Sequence, residues 1–196
     1  MFTGIVQAVG RIANVKTTGE TAAVTIQSPK LDLTDVAIGD SIACNGVCLT
    51  VTGLAPDGFS VDVSRETMNV TAGFVVGALI NLEKSLRLGD RLGGHLVSGH
   101  VDGSGEITTI EPVDGNHEIT IRFPAHLGRY IACKGSITVN GVSLTVNAVT
   151  KDTFSANLIP HTLAVTNFHA VKVGDRVNLE IDLLARYVER LVNASE

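Results

Sequence analysis

Asn45-Gly46-Val47-Cys48-Leu49-Thr50-Val51 returns as Asn140-Gly141-Val142-Ser143-Leu144-Thr145-Val146, 95 residues later, with one change in seven. The reading of this heptapeptide decides the fold. Asn-Gly tolerates the two positive φ values of a type I′ turn. Here it sits between runs rich in Val, Ile and Thr, which suit a pleated surface. Each copy predicts a tight β-hairpin. Sliding residues 41–71 onto 136–166 gives 14 identities in 31 ungapped positions. After a two-residue shift, Gly77-x3-Asn81-Leu82-Glu83 matches Gly174-x3-Asn178-Leu179-Glu180, and at the front Thr3-Gly4-Ile5-Val6 aligns with Ser98-Gly99-His100-Val101. Solenoid units run about 20–50 residues, so a period this long marks two domains of one fold, dividing near residues 87–97.

Further strands are expected at residues 22–27, 59–63, 78–83, 117–123, 154–158 and 176–181, punctuated by Gly-Asp turns at Gly39-Asp40, Gly89-Asp90 and Gly174-Asp175. Short strands at regular spacing within about 90 residues suggest a small closed barrel in each half. Helical periodicity is nearly absent until the end. There Leu183, Leu184, Tyr187, Val188, Leu191 and Val192 repeat at helical spacing behind Asp182, a candidate N-cap. A lone helix this short is marginal in water, so its apolar stripe calls for a packing partner. The expected division is one barrel over residues 1–90, a second over 91–182 and a helix over 183–196.

A two-residue turn fixes which side chains share a face. Ile42, Cys44, Val47, Leu49 and Val51 then line a core, and Ser41, Ala43, Cys48 and Thr50 face outward. In the second copy Ile137, Val139, Val142, Leu144 and Val146 face Ser136, Thr138, Ser143 and Thr145 across the sheet. Two readings of the outward face are open: a solvated strand surface, or a platform of small polar groups for a flat ring. Duplication favours the second, because it implies two related sites.

Composition narrows the rest. An apolar share of 44% with 18% charged residues describes a globular chain, and the net charge of −5 without any Lys/Arg run speaks against nucleic acid as a partner. No segment approaches the roughly 20 apolar residues of a membrane span. The N-terminus lacks a basic, then apolar, signal pattern. Three cysteines, Cys44, Cys48 and Cys133, do not cluster as metal ligands, and His95 and His100 have no third ligand at useful spacing. The expectation is a cytoplasmic protein with no membrane association and no metal.

The opening Met-Phe-Thr-Gly-Ile-Val, the repeated Asn-Gly-Val-(Cys/Ser)-Leu-Thr-Val and the stretch Gly93-Gly94-His95-Leu96-Val97-Ser98-Gly99-His100-Val101 together resemble the riboflavin synthase family over essentially the whole chain. The resemblance implies an all-β fold of two tandem homologous six-stranded Greek-key β-barrels plus a C-terminal α-helix. It implies a homotrimer built on that helix, with an active site where one subunit's N-terminal barrel meets a neighbour's C-terminal barrel. It further implies a transferase that dismutates two 6,7-dimethyl-8-(1-D-ribityl)lumazine molecules without cofactor, possible association with lumazine synthase included. The rival classes are a non-catalytic lumazine- or flavin-binding antenna protein, which resembles the family in fold and repeat, and a generic oligomeric barrel scaffold.

Carried over by resemblance, the first-barrel contacts fall on Gly4, Ile5, Val6, Ser41, Cys48, Leu49, Thr50, Asp62, Val63, Ser64, Arg65, Glu66 and Thr67. The second-barrel contacts fall on Gly99, His100, Val101, Ser143, Leu144, Thr145, Asn157, Leu158, Ile159, Pro160, His161 and Thr162, with Lys134 reaching from a neighbouring chain. His100 is the candidate for proton transfer, since imidazole titrates near neutrality, against the commoner structural role of a lone histidine. Cys48 is a nucleophile or a small packed thiol. Ser143 polarises the donor ring or delivers a nucleophile to it. Asp182 is a helix cap, a proton relay, or both, and Phe2 is an aromatic edge of the site or a barrel plug.

Overall fold

A computed structural model of the chain describes residues 1–193, so residues 194–196 of the expected helical segment lie outside the described residues. The first half contains β1 (Ala8–Thr18), β2 (Thr21–Gln27), β3 (Ser41–Cys44), β4 (Val47–Ala55), β5 (Gly58–Ser64), α1 (Arg65–Val70) and β6 (Leu79–Lys84). The second repeats the order as β7 (Gly103–Val113), β8 (Asn116–Arg122), β9 (Ser136–Val139), β10 (Val142–Val149), β11 (Thr153–Leu158), α2 (Pro160–Val165) and β12 (Arg176–Ile181), and α3 (Leu183–Val192) follows. All ladders are antiparallel. Each set of six closes, in the order β1-β2-β5-β4-β3-β6 and, equivalently, β7-β8-β11-β10-β9-β12. Closure leaves no sheet edge unpaired.

The hairpins form in the register that their turns dictate. Cys44 pairs with Val47 and Ser41 with Thr50, while Val139 pairs with Val142 and Ser136 with Thr145. Asn45 and Asn140 take φ of 48° and 46°, and Gly46 and Gly141 take 81° and 77°, as a type I′ turn needs. Ile42, Cys44, Val47, Leu49 and Val51 join Val24, Phe59, Val61 and Leu82 in one core. Ile137, Val139, Val142, Leu144 and Val146 join Ile121, Phe154, Val177 and Leu179 in the other. Burial pushes the Cys44 thiol upward and leaves it neutral and inert in the first core.

Four of these elements escape the sequence reading. β1 and β7, the longest strands, carry bulges at Ile12/Asn14 and Ile107/Thr109, and each bulge shifts the side-chain alternation by one. The helices α1 and α2 span six residues each, too short for periodicity to register.

The barrels meet tip to tip. A Cβ built on Gly46 would lie 2.9 Å from the Gly141 nitrogen, and one on Gly141 would lie 2.7 Å from the Gly46 nitrogen. Around this contact a pseudo-twofold pair of buried amides reaches across. Asn81 Nδ2 donates to the Asn140 carbonyl and Asn178 Nδ2 donates to the Asn45 carbonyl, both at 2.9 Å. Asn45 and Asn140 in turn accept at Oδ1 from the Asn81 and Asn178 amides of their own barrels at 2.8 Å. The symmetry breaks at Asn167, whose side chain donates to Asn45 Oδ1 at 3.1 Å.

Candidate functional site

The outward hairpin faces are each completed by a segment that precedes a barrel, and the two segments cross. Cys48, on the first hairpin, donates its backbone N–H to the Gly99 carbonyl at 2.8 Å; Ser143, on the second, donates to the Gly4 carbonyl at 2.8 Å. The approach is close enough to require glycine. A Cβ on Gly4 would fall 2.6 Å from Ser143 Cβ, and one on Gly99 would fall 2.6 Å from Cys48 Cβ. Val6 packs on the second core and Val101 on the first. This reverses the expected grouping: Gly4 and Val6 lie against the second hairpin's barrel and Gly99, His100 and Val101 against the first, while Ile5 is exposed beside Gly93. The repeat shows that the segments are equivalent but carries no information on which barrel each one covers. Where they cross, Phe2 and Val97 exchange backbone hydrogen bonds of 2.8 and 3.1 Å.

In the first site, Cys48, Glu66, Thr67, Gly99, His100 and Val101 line a pocket of about 240 Å³. Ser64 caps α1 by accepting from the Thr67 amide, which fixes the Glu66 and Thr67 wall. Behind Cys48 lies an apolar cluster of Phe2, Ala43 and Val97. Phe2 is thus a plug, fully buried, and not an exposed aromatic edge. Asp62 stands outward on β5, whereas Arg65 turns to an exposed ion pair with Glu20.

The second site has a polar wall in the same place. Thr138 and Ser143 replace Ala43 and Cys48, and His95 bridges them: its Nδ1 lies 2.7 Å from Ser143 Oγ and its Nε2 lies 3.2 Å from Thr138 Oγ1. Burial lowers the His95 pKa below the ordinary 6.5, and the Asp182 carboxylate opposes that shift in part. Burial thus favours the neutral imidazole. In the tautomer that carries its proton on Nε2, the ring donates to Thr138 Oγ1 and its Nδ1 is free to accept the Ser143 hydroxyl proton. His95 is the member of this wall that sequence reasoning did not place among the site residues. The sign of it was its place behind Gly93-Gly94, within the very stretch that carries the resemblance.

The other expected residues divide by orientation. Pro160, His161 and Thr162 lie on α2, Ile159 occupies its N-cap position without a capping hydrogen bond, and Asn157 is exposed on β11, the counterpart of Asp62. Leu49, Val63, Leu144 and Leu158 point into the cores, so only their backbones face the sites. Thr50 and Thr145 are exposed beside Cys48 and Ser143. Ser41 lies apart, in a charged groove with Gln7, Asp40 and Lys84. Lys134 stands in an exposed left-handed turn, its backbone N–H on the Val146 carbonyl at 2.8 Å. Asp182 does cap α3, accepting from the Leu184 amide at 2.9 Å. Among the described residues, no group of three or more His, Cys, Asp or Glu side chains is arranged to hold a metal ion.

Two buried carboxylates back the crossing segments. Glu83 Oε1 accepts from the Thr3 amide and hydroxyl, both at 2.7 Å, and Oε2 accepts from the Gly4 amide at 3.0 Å. Glu180 Oε1 likewise accepts from the Ser98 amide at 2.7 Å and hydroxyl at 2.6 Å, and Oε2 from the Gly99 amide at 3.0 Å. Burial raises both pKa values, and the donated hydrogen bonds pull them back.

The family described as the lumazine binding domain matches residues 3–85 and again residues 98–182. Fold and paired site together define a tandem lumazine-binding β-barrel protein. The chain is 47% identical to the riboflavin synthase of Photobacterium phosphoreum over 98% of its own length and 89% of the relative's. It is 45% identical to that of Mycobacterium tuberculosis over the full length of both, and 43% identical to that of Bacillus subtilis over 98% and 90%. The chain belongs to the riboflavin synthase family. Among solved structures it resembles LumP complexed with riboflavin, with a TM-score of 0.84 at 29% identity over 92% of this chain and 99% of that one. LumP complexed with 6,7-dimethyl-8-(1'-D-ribityl) lumazine gives 0.82 at 27% identity, covering 92% and 98%.

Proposed function

We propose that the chain is a riboflavin synthase, converting two molecules of 6,7-dimethyl-8-(1-D-ribityl)lumazine into riboflavin and 5-amino-6-(D-ribitylamino)uracil by transfer of a four-carbon unit. The observation that carries this reading is the pair of equivalent hairpin faces with unequal walls, one apolar and one built on His95, Thr138 and Ser143. Two identical substrate molecules with opposite roles call for such a pair. Donor and acceptor together contain every atom of the two products, so the dismutation needs no outside oxidant or reductant.

The second barrel's site takes the donor. The neutral His95 draws the proton from Ser143 Oγ, or from a water held there, and the freed oxygen adds to the electrophilic C7 of the ring. The first barrel's site takes the acceptor, whose acidic C7 methyl loses a proton to His100, a reading supported by its position in the wall beside Cys48. Cys48 packs against the acceptor ring. Juxtaposing the two rings supplies much of the acceleration, because well-oriented reactions reach effective molarities of about 10⁵–10⁸ M.

The two rings meet between subunits. Leu184, Tyr187, Val188 and Leu191 of α3 are exposed on the single chain, an apolar stripe suited to a symmetric helix bundle. A homotrimer around α3 would bring one chain's first site against a neighbour's second site, with Lys134 at that boundary. Light scattering is expected to give the mass of three chains. Leu184→Asp combined with Leu191→Asp is expected to give monomers that retain folded barrels but lose turnover. A cytoplasmic location and association with lumazine synthase follow from the same reading.

The deciding experiment supplies dimethyl-ribityl-lumazine alone, without added metal or cofactor, and follows riboflavin formation. Two lumazines lost per riboflavin formed is the expected stoichiometry. Tight binding without turnover would instead make the chain a carrier of the kind that LumP's bound ligands suggest. Neither binding nor turnover would leave only the duplicated barrel.

A further inference from the structure

We propose that Glu83 and Glu180 are positioning residues that act crosswise: each, fixed on the last strand of its own barrel, sets the segment that completes the ligand site of the other barrel. Glu83, on β6, holds Thr3 and Gly4 through three hydrogen bonds, and the Gly4 carbonyl receives the Ser143 amide of the second hairpin. Glu180, on β12, holds Ser98 and Gly99, and the Gly99 carbonyl receives the Cys48 amide of the first.

Three observations set these carboxylates apart from ordinary fold staples. They are 5% and 3% exposed, and among the described residues neither forms a salt bridge, although the Met1 ammonium exerts a weak pull on Glu83. A buried carboxylate outside any salt bridge is an expensive way to tie down a strand, and an apolar pair would serve packing better. Every side-chain hydrogen bond that either one makes goes to the two residues bordering the opposite site. The arrangement also occurs twice, at the repeated Asn-Leu-Glu of Asn81-Leu82-Glu83 and Asn178-Leu179-Glu180, although the site walls themselves have diverged. The carboxylates are thus the shared frame on which two different sites are hung.

The geometry makes a prediction that a general stabilising role does not. Glu83→Gln replaces one acceptor oxygen with an amide that opposes the Gly4 or Thr3 donors, so the segment over Ser143 loosens while that over Cys48 is untouched. In the full-length, ligand-free protein, hydrogen exchange at the Ser143 amide is expected to accelerate about tenfold, with the Cys48 amide unchanged. Glu180→Gln is expected to do the reverse. Riboflavin titration, followed at the same two amides by NMR, is expected to weaken about tenfold at the opposite barrel only. Loosening on the same side, on both sides equally, or on neither would overturn the proposal. If the glutamine variants do not fold, Thr3→Val and Ser98→Ala, which remove one donor and keep the carboxylates, must show the same crossed pattern at about threefold. The titration rests on the flavin-binding reading of the hairpin faces, but the exchange pattern does not. A wild-type chain that binds no riboflavin would refute that reading, and the crossed exchange pattern would still decide the role of the two carboxylates.

Discussion

His95→Gln is expected to lower kcat by about 10²–10⁴-fold, the range for a lost general base, while riboflavin binding stays within about threefold of wild type. Glutamine can still accept from Ser143 and donate to Thr138, so it preserves the bridge that the imidazole makes at 2.7 and 3.2 Å. What it cannot do is take up a proton. The substitution therefore separates basicity from architecture. The pH profile supplies the second half of the test. Because burial holds the imidazole below 6.5, its folded-state pKa lies under the unfolded one. The neutral form, and the stability that goes with it, is fully present above the unfolded value and is lost as pH falls through the folded value. The part of the acid limb of kcat that His95 contributes in the wild type should accordingly lie below pH 6.5 and be lost in His95→Gln. A variant that kept both its rate and its acid limb would remove His95 from the chemistry and return the role to another group.

Gly46→Ala is expected to destabilise the chain by about 2–5 kcal/mol, and Gly141→Ala by a similar amount. Each glycine is the second turn residue of its hairpin, with φ of 81° or 77°, where an L side chain costs about 1–2 kcal/mol. Each added Cβ would also press on the opposite tip's backbone at 2.9 or 2.7 Å, adding about 1–3 kcal/mol for overpacking that rigid main chain cannot relieve. Gly19 is the control. Its φ is 62° but nothing lies within 4 Å of its Cβ position, so Gly19→Ala should show the backbone strain alone. Denaturant midpoints of the three variants measure the difference. Equal losses at Gly19 and Gly46 would mean that the tip-to-tip contact contributes nothing.

The hairpins were legible because a short local signal, Asn-Gly between β-branched runs, determines turn, register and facing at once. The barrel core followed from that facing, and Asp182 as a cap followed from the stripe behind it. β1 and β7 were not legible, because period two fails at Ile12/Asn14 and Ile107/Thr109 and their glycines and Pro112 dilute the strand signal. The site was legible residue type by residue type, since Cys48, Thr50, Ser143 and Thr145 stand where the turn geometry puts them. Its assembly was not. That Gly4 lies on Ser143 and Gly99 on Cys48 depends on contacts between residues more than fifty positions apart, which leave no periodicity to read. His95 lies outside the aligned segments of the repeat, so the repeat that exposed the other residues passed over it.

The crossing of the two leading segments bears on how such a chain can change over generations. Two identical half-length subunits crossing arms would make the same contacts, but any substitution would then appear in both sites together. Joining the halves frees each site to vary alone, as Ala43 against Thr138, Cys48 against Ser143 and Ile5 against His100 already show. The shared arms still tie the two together, since a change that alters one barrel's leading segment is felt in the other barrel's pocket. Innovation in one site is therefore easy at the hairpin and constrained at Gly4, Gly99, Glu83 and Glu180. Variation among descendants should concentrate on the hairpin faces and spare those four positions.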